Sequence, residues 1–107
     1  MFVRWQKRER GDVRWDAVLV HSFRLDGRVR QQVIGTIAGF RQSDLDDHRR
    51  LDGYFVACLF WHRARARLKA FGLTEAKHAA AVATLAAKVP EMPEEYIATA
   101  FEMLGVS

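Results

Sequence analysis

The sequence predicts an α+β fold: a three-stranded antiparallel β-meander followed by three to four α-helices packed on one of its faces. Two observations carry this. Over the first forty residues apolar side chains recur with a period of two and are punctuated by Gly11 and Gly27. Residues 43–104 instead carry apolar stripes at spacings of three and four, bounded by helix caps. The 107 residues are 50% apolar, which suits a single domain, 1–107, with one core: a meander over 1–40 and a helical part over 41–107.

The central strand sets the faces. From Val13 its odd positions read Val13, Trp15, Ala17, Leu19, His21, Phe23 and Leu25, and its even positions Arg14, Asp16, Val18, Val20, Ser22, Arg24 and Asp26. The odd face is the more apolar and is assigned to the core. The first strand, Phe2 to Glu9, adds Val3 and Trp5, and the third, Arg28 to Ala38, adds Val29, Val33 and Ile37.

Arg10-Gly11-Asp12 and Asp26-Gly27 mark the turns. A two-residue Asp-Gly loop would set Leu25 against Arg28 and Phe23 against Arg30. A three-residue loop ending on a left-handed Gly27 sets Phe23 against Val29, Leu19 against Val33 and Trp15 against Ile37. The equivalent loop at Glu9–Gly11 sets Trp5 against Trp15. Because a one-residue slip turns every side chain over, three-residue loops are predicted. The face away from the core then gathers Arg4, Gln6, Arg8, Arg14, Ser22, Arg24, Arg28, Arg30 and Gln32, and is apolar only at Val18, Val20 and Ile34.

Ser43 or Asp44 is expected to cap a helix that carries Asp46 and Asp47 in its first turn, Arg49 and Arg50 behind them, and runs to about Phe71 with Gly53 as a possible break. Leu51, Phe55, Cys58 and His62 share one of its faces and Val56 and Phe60 another. Tyr54 to Trp61 is therefore apolar all round and belongs between the sheet and the other helices. Thr74 caps the next helix, whose stripe is Val82, Leu85, Ala86 and Val89 and which Pro90 stops. Pro93 is placed at the first position of the last, with Glu94 and Glu95 at its positive end, a stripe of Ile97, Phe101 and Leu104, and Gly105 beyond it.

Composition excludes several classes. The longest apolar run is the eight residues Tyr54–Trp61, well short of the roughly twenty of a membrane span. The opening MFVRWQKRER is too charged for a signal peptide. Cys58 is the only cysteine, which rules out an internal disulfide and a multi-cysteine zinc site. A reduced, cytoplasmic protein without cofactor or metal is expected. Cys58 and His62, four apart, read as core residues. Asp44, Asp46, Asp47 and Asp52 read as helix-start charges. His21 and Ser22 point to opposite faces of a strand, and GTIAG at 35–39 lacks the ending of a phosphate loop. No enzymatic constellation emerges.

What remains is charge. Residues 1–50 hold eleven Arg or Lys against seven Asp or Glu, residues 51–107 six against six, and thirteen of the seventeen basic residues are Arg. Arg24, Arg28 and Arg30 are the principal candidates for nucleic-acid contact, with Gln32 as a base reader and Arg4, Arg8 and Arg14 on phosphates. A two-stranded ribbon fits a major groove, where Arg reads guanine and Gln reads adenine. A solvated sheet face would carry the same residues. Arg63 and Arg67, which share a helix face that Arg65 points away from, form a second and lesser patch.

The stretch HSFRLDGRVRQQVIGTIAGF, His21 to Phe40, resembles the N-terminal hairpin segment of DDE-type insertion-sequence transposases. Ser22, Phe23, Arg24, Gly27, Arg28, Val29, Arg30 and Gln31 match its strand–turn–strand pattern, and Ala38-Gly39 stands where Leu-Gly is usual. The family's catalytic domain is absent, so the resemblance implies a DNA-associated accessory module from a phage, plasmid or other mobile element, without transposase activity. The expected partner is duplex DNA, with no membrane involved. The alternatives are a small anti-defence inhibitor or adaptor docking on an acidic protein surface, and a homodimer closed through the Ala79–Ala81 surface.

Overall fold

Three strands, β1 (Phe2–Arg8), β2 (Arg14–Leu25) and β3 (Arg28–Arg41), pair antiparallel in the order β1-β2-β3. Four helices follow: α1 (Gln42–Asp46), α2 (Leu51–Phe71), α3 (Glu75–Ala86) and α4 (Glu94–Met103). This is the predicted α+β class. The computed structural model describes residues 1–46 and 51–103, with only the backbone for 46, 51–55, 100, 101 and 103. The roles expected of Asp47, Arg49, Arg50, Leu104 and Gly105, and of the side chains of Asp46, Leu51, Asp52, Phe55 and Phe101, lie outside the described residues.

Both loops differ from the expected length. Asp26 and Gly27 have φ of 54° and 74°, and Leu25 pairs with Arg28 and Phe23 with Arg30. Two successive positive φ values make a two-residue type I′ turn, the form that Asp-Gly favours because its twist matches that of the strands. The first loop is longer than expected: Arg8 pairs with Arg14 and Trp5 with Ala17. That shift of two residues preserves which side chains share a face.

Toward the body, register shifts between Leu19/Val20 and Ala17/Val18 leave Ile34 and Ile37 as extra residues in β3, so Trp15 faces Phe40 instead of Ile37. Bulges of this kind bend and twist the strand. A β-branched residue at position 27 tolerates its positive φ badly. Gly27→Val is accordingly expected to weaken the hairpin by about 1–2 kcal/mol, read as faster amide exchange over residues 22–31. Unchanged exchange there would contradict the type I′ turn.

The odd face of β1 and β2 is the core face. Val3, Ala17 and Leu19 pack with Ala38 and Phe40 of β3 and with Ala57, Phe60, Trp61, Ala64 and Leu68 of α2. Trp5 stacks on Phe60 with centroids 5.8 Å apart, and Phe40 meets both rings edge-on at 5.8 Å, geometries that suit the aromatic quadrupole. Val18 and Val20, expected on the outer face, are also buried. On that face Arg4 donates to the Gln31 side chain at 2.7 Å. Arg4 lies opposite Val18 and Gln31 opposite Ser22, so the bond reaches across the central strand.

Helix boundaries follow local chemistry with small departures. α1 starts at Gln42, whose N–H donates to the Val13 carbonyl at 2.8 Å; Ser43 and Asp44 therefore sit in its first turn and do not cap it. Gly53 lies inside α2 without breaking it. Gly72, at φ 65°, closes α2 through its N–H to the Lys69 carbonyl. Thr74 caps α3 by accepting from the Lys77 N–H. Pro93 precedes α4 as its cap residue, its carbonyl accepting from Tyr96 and Ile97. Within the apolar stretch of α2, Cys58 is buried but Leu59 and His62 are exposed, so the helix is not covered all round. In the proposed dimer patch, Ala79 and Ala80 are exposed and Ala81 is buried.

Candidate nucleic-acid interface

Every residue from His21 to Ile34 is exposed. The outer half of the β2–β3 hairpin thus stands clear of the body as a two-stranded arm in a molecule 53 × 34 × 21 Å in extent. Paired residues in an antiparallel ladder point to the same side. One face of the arm therefore carries His21 with Gln32, Phe23 with Arg30 and Leu25 with Arg28, and the other carries Ser22 with Gln31 and Arg24 with Val29.

The single arginine face expected from sequence is accordingly divided. Arg28, Arg30 and Gln32 lie on the side where the helices sit. Arg24 lies on the outer side with Arg4, Arg8 and Arg14. The cause is the two-residue turn, which sets Arg28 opposite Leu25. Apolar side chains are interleaved with the cations, and Leu25 and Val29 are 55% and 63% exposed.

At the other end of the sheet Arg8, Arg14 and Arg41 form one row across the three strands. Like charges placed side by side repel, and Asp16, in the next row, relieves this. Its carboxylate accepts from Arg14 Nε at 3.2 Å and pairs with Arg8 Nε at 3.3 Å, and it is only 6% exposed. The carboxylate lies over Gly39, its cross-strand neighbour, where a methyl group would collide with it and crowd the Arg14 guanidinium and the Trp15 carbonyl. Gly39 thus makes room for the ion that holds the arginine row. Gly39→Ala is expected to cost about 1–3 kcal/mol, the range for overpacking a filled site. A urea melt matching the wild type would show that Asp16 does not depend on this space.

Arg8, Arg10, Arg14 and Arg41, with Glu9 and Asp12, line an open cleft of about 760 Å³. A second, of about 450 Å³, lies between the β3 edge at Thr36–Gly39 and the α2 face formed by His62, Arg63, Ala66 and Arg67, with Arg14 at its margin. Arg14 lines both. Arg10 and Arg41 are not among the arginines expected to bind, and His62, expected in the core, is exposed on the cleft wall. Arg41 joins the row of Arg8 and Arg14 only through the longer β3 and its two bulges, and Arg10 lies in the first loop, between Arg8 and Arg14.

Arg65 does point away from Arg63 and Arg67. It donates to the Met92 carbonyl at 2.6 Å, pairs with Glu91 at 3.2 Å and lies over the Trp61 ring, tying down the α3–α4 connection. Arg63 and Arg67 are exposed and have no ion pair among the described residues.

Among the described residues no helix is long and apolar enough to cross a membrane, and no group of three or more His, Cys, Asp or Glu is placed to hold a metal ion. The chain matches no protein-family model, no curated protein and no solved structure.

Proposed function

We propose that this chain is a non-enzymatic nucleic-acid-binding module for duplex DNA, of the type carried by phages and other mobile elements, and that the hairpin arm is its reading element. The observation that carries the proposal is the projection of the arm with arginines on both faces. A two-stranded ribbon fits the major groove, about 12 Å wide. With the face of Arg28, Arg30 and Gln32 turned to the base edges, Arg28 and Arg30 reach guanines and Gln32 an adenine, while Phe23 and Leu25 supply apolar contact to thymine methyl groups. Arg24, on the opposite face, is left for the flanking backbone. Arg4, Arg8 and Arg14 each use part of the guanidinium internally, and its five donors leave others for phosphate.

Titration of a fluorescent duplex against salt tests this. About six phosphate contacts give a slope of log K on log salt of roughly −5. Binding that is absent at low salt, or indifferent to salt, overturns the proposal. The exposed Leu25, Val29, Val33 and Ile34 favour a second reading, an inhibitor or adaptor that buries the arm against an acidic protein surface. Recovery of one defined protein after nuclease treatment, with no duplex affinity, would select it.

A further inference from the structure

α2 runs beside β3 in the opposite direction. Phe60 meets Phe40 near the base of the sheet, and Phe71, eleven residues on, lies where a side chain on Gly35 would touch it. Arg63 and Arg67 fall between these contacts, one helical turn apart, and both face the cleft along Thr36–Gly39. Beyond Phe71, on the same side of the sheet, follow Gln32, Arg30 and Arg28. The two cation groups therefore belong to one side of the molecule, separated along the strand direction. Thr36 and Gly39 of the cleft lie opposite Val18 and Asp16, and Arg30 and Arg28 lie opposite Phe23 and Leu25. From the middle of one group to the middle of the other is about seven steps along β2, which at about 3.3 Å each come to about 23 Å. That is about two-thirds of a turn of B-DNA, which measures about 34–36 Å.

We infer that the cleft between α2 and β3 is a second DNA contact, in which Arg63 and Arg67 hold backbone phosphates about two-thirds of a helical turn from the bases that the arm reads. This rests on the duplex-DNA reading of the arm. Three features of the cleft fit a phosphodiester strand. It is open, as a passing strand requires. Ala66, between the two arginines, keeps its floor low. The one carboxylate on its wall, Asp16, is already engaged by Arg8 and Arg14, and Arg63 and Arg67 have no ion pair among the described residues. Arginine offers a phosphate two parallel N–H donors in a fixed fork.

The test measures salt-dependent binding on two duplexes, one of about 24 base pairs and one of about six closed by a loop, whose roughly 20 Å falls short of the separation. On the long duplex Arg63→Gln/Arg67→Gln is expected to flatten the salt slope by about two, since each neutralised phosphate contributes about 0.9. Arg63→Lys/Arg67→Lys should restore most of that slope. On the short duplex, which cannot reach both places at once, wild type and the Gln variant should coincide. Equal slopes for wild type and the Gln variant on the long duplex overturn the inference and leave the arm reading standing. A difference of equal size on both lengths overturns the proposed separation of the two contacts. Failure of the wild type to bind either duplex removes both the inference and the reading beneath it. Circular dichroism melts of the variants, whose changed side chains are exposed, separate loss of contact from loss of fold.

Discussion

Trp61→Ala is expected to lose about 3–5 kcal/mol of folding free energy, the range for truncating a large buried aromatic. The indole is fully buried and joins three parts of the chain. It projects from α2, meets Phe60 edge-on at 5.9 Å, and donates its N–H to the Val89 carbonyl at 3.2 Å, where α3 gives way to the connection leading to α4. Arg65, one turn further along α2, lies over the same ring with its guanidinium carbon 5.2 Å from the centroid while holding the Met92 carbonyl. Removing the indole leaves a cavity, an unpaired buried carbonyl and an arginine without its platform. A domain of this size has about 5–15 kcal/mol in total, so the urea midpoint should fall by about a fifth or more. Trp61→Phe keeps a ring and loses the hydrogen bond, and should fall between the two. A Trp61→Ala protein that melts like the wild type would mean that α3 and α4 are not anchored through this residue.

Part of that anchor is legible in the sequence. The apolar stretch Tyr54–Trp61 announced a buried helix because no solvated face could be drawn through it. The bond from Trp61 to Val89, and the clamp Arg65 makes on Met92 and Glu91, join residues more than twenty-five positions apart, and periodicity contains nothing about such pairs. Similarly, the three strands, their order and the odd core face of β1 and β2 followed from alternation. The register of β3 did not. Matching apolar to apolar across the Gly27 turn presumes that a buried face is there to reward the match. Because residues 21–34 stand clear of the core, burial sets no register in the arm, and the local preference of Asp-Gly for a type I′ turn decides it. Two bulges then bring Ala38 and Phe40 under the helices. Every candidate arginine except Arg10 and Arg41 is identifiable from the sequence pattern; their grouping into two faces and two ends depends on the register.

Arg28→Glu/Arg30→Glu is expected to abolish duplex binding and leave the fold intact. Each arginine removed from a base or phosphate costs about 1–3 kcal/mol, and reversal adds repulsion from the phosphates. Together the pair should weaken binding at least a hundredfold, since every 1.4 kcal/mol is about tenfold. The melt should stay within about 0.5 kcal/mol of the wild type, as for surface changes away from packed features. Both side chains are exposed, their cross-strand partners are Leu25 and Phe23, and neither has an ion pair among the described residues. The double reversal also takes the formal net charge from +4 to 0, four units for two changes, which by itself weakens attraction to DNA. Lys69→Glu/Lys77→Glu makes the same change in net charge away from the arm and is the control; it should lower affinity far less. Gln32→Ala should alter the preferred sequence more than the total affinity, because amide contacts read bases and carry no charge. If both double reversals lose affinity equally, the arm contributes only its charge and the proposed base-reading face is wrong. If neither changes the affinity at any salt concentration, DNA binding does not run through the arm, and the exposed apolar residues beside Arg28 and Arg30 become the place to look for a protein partner.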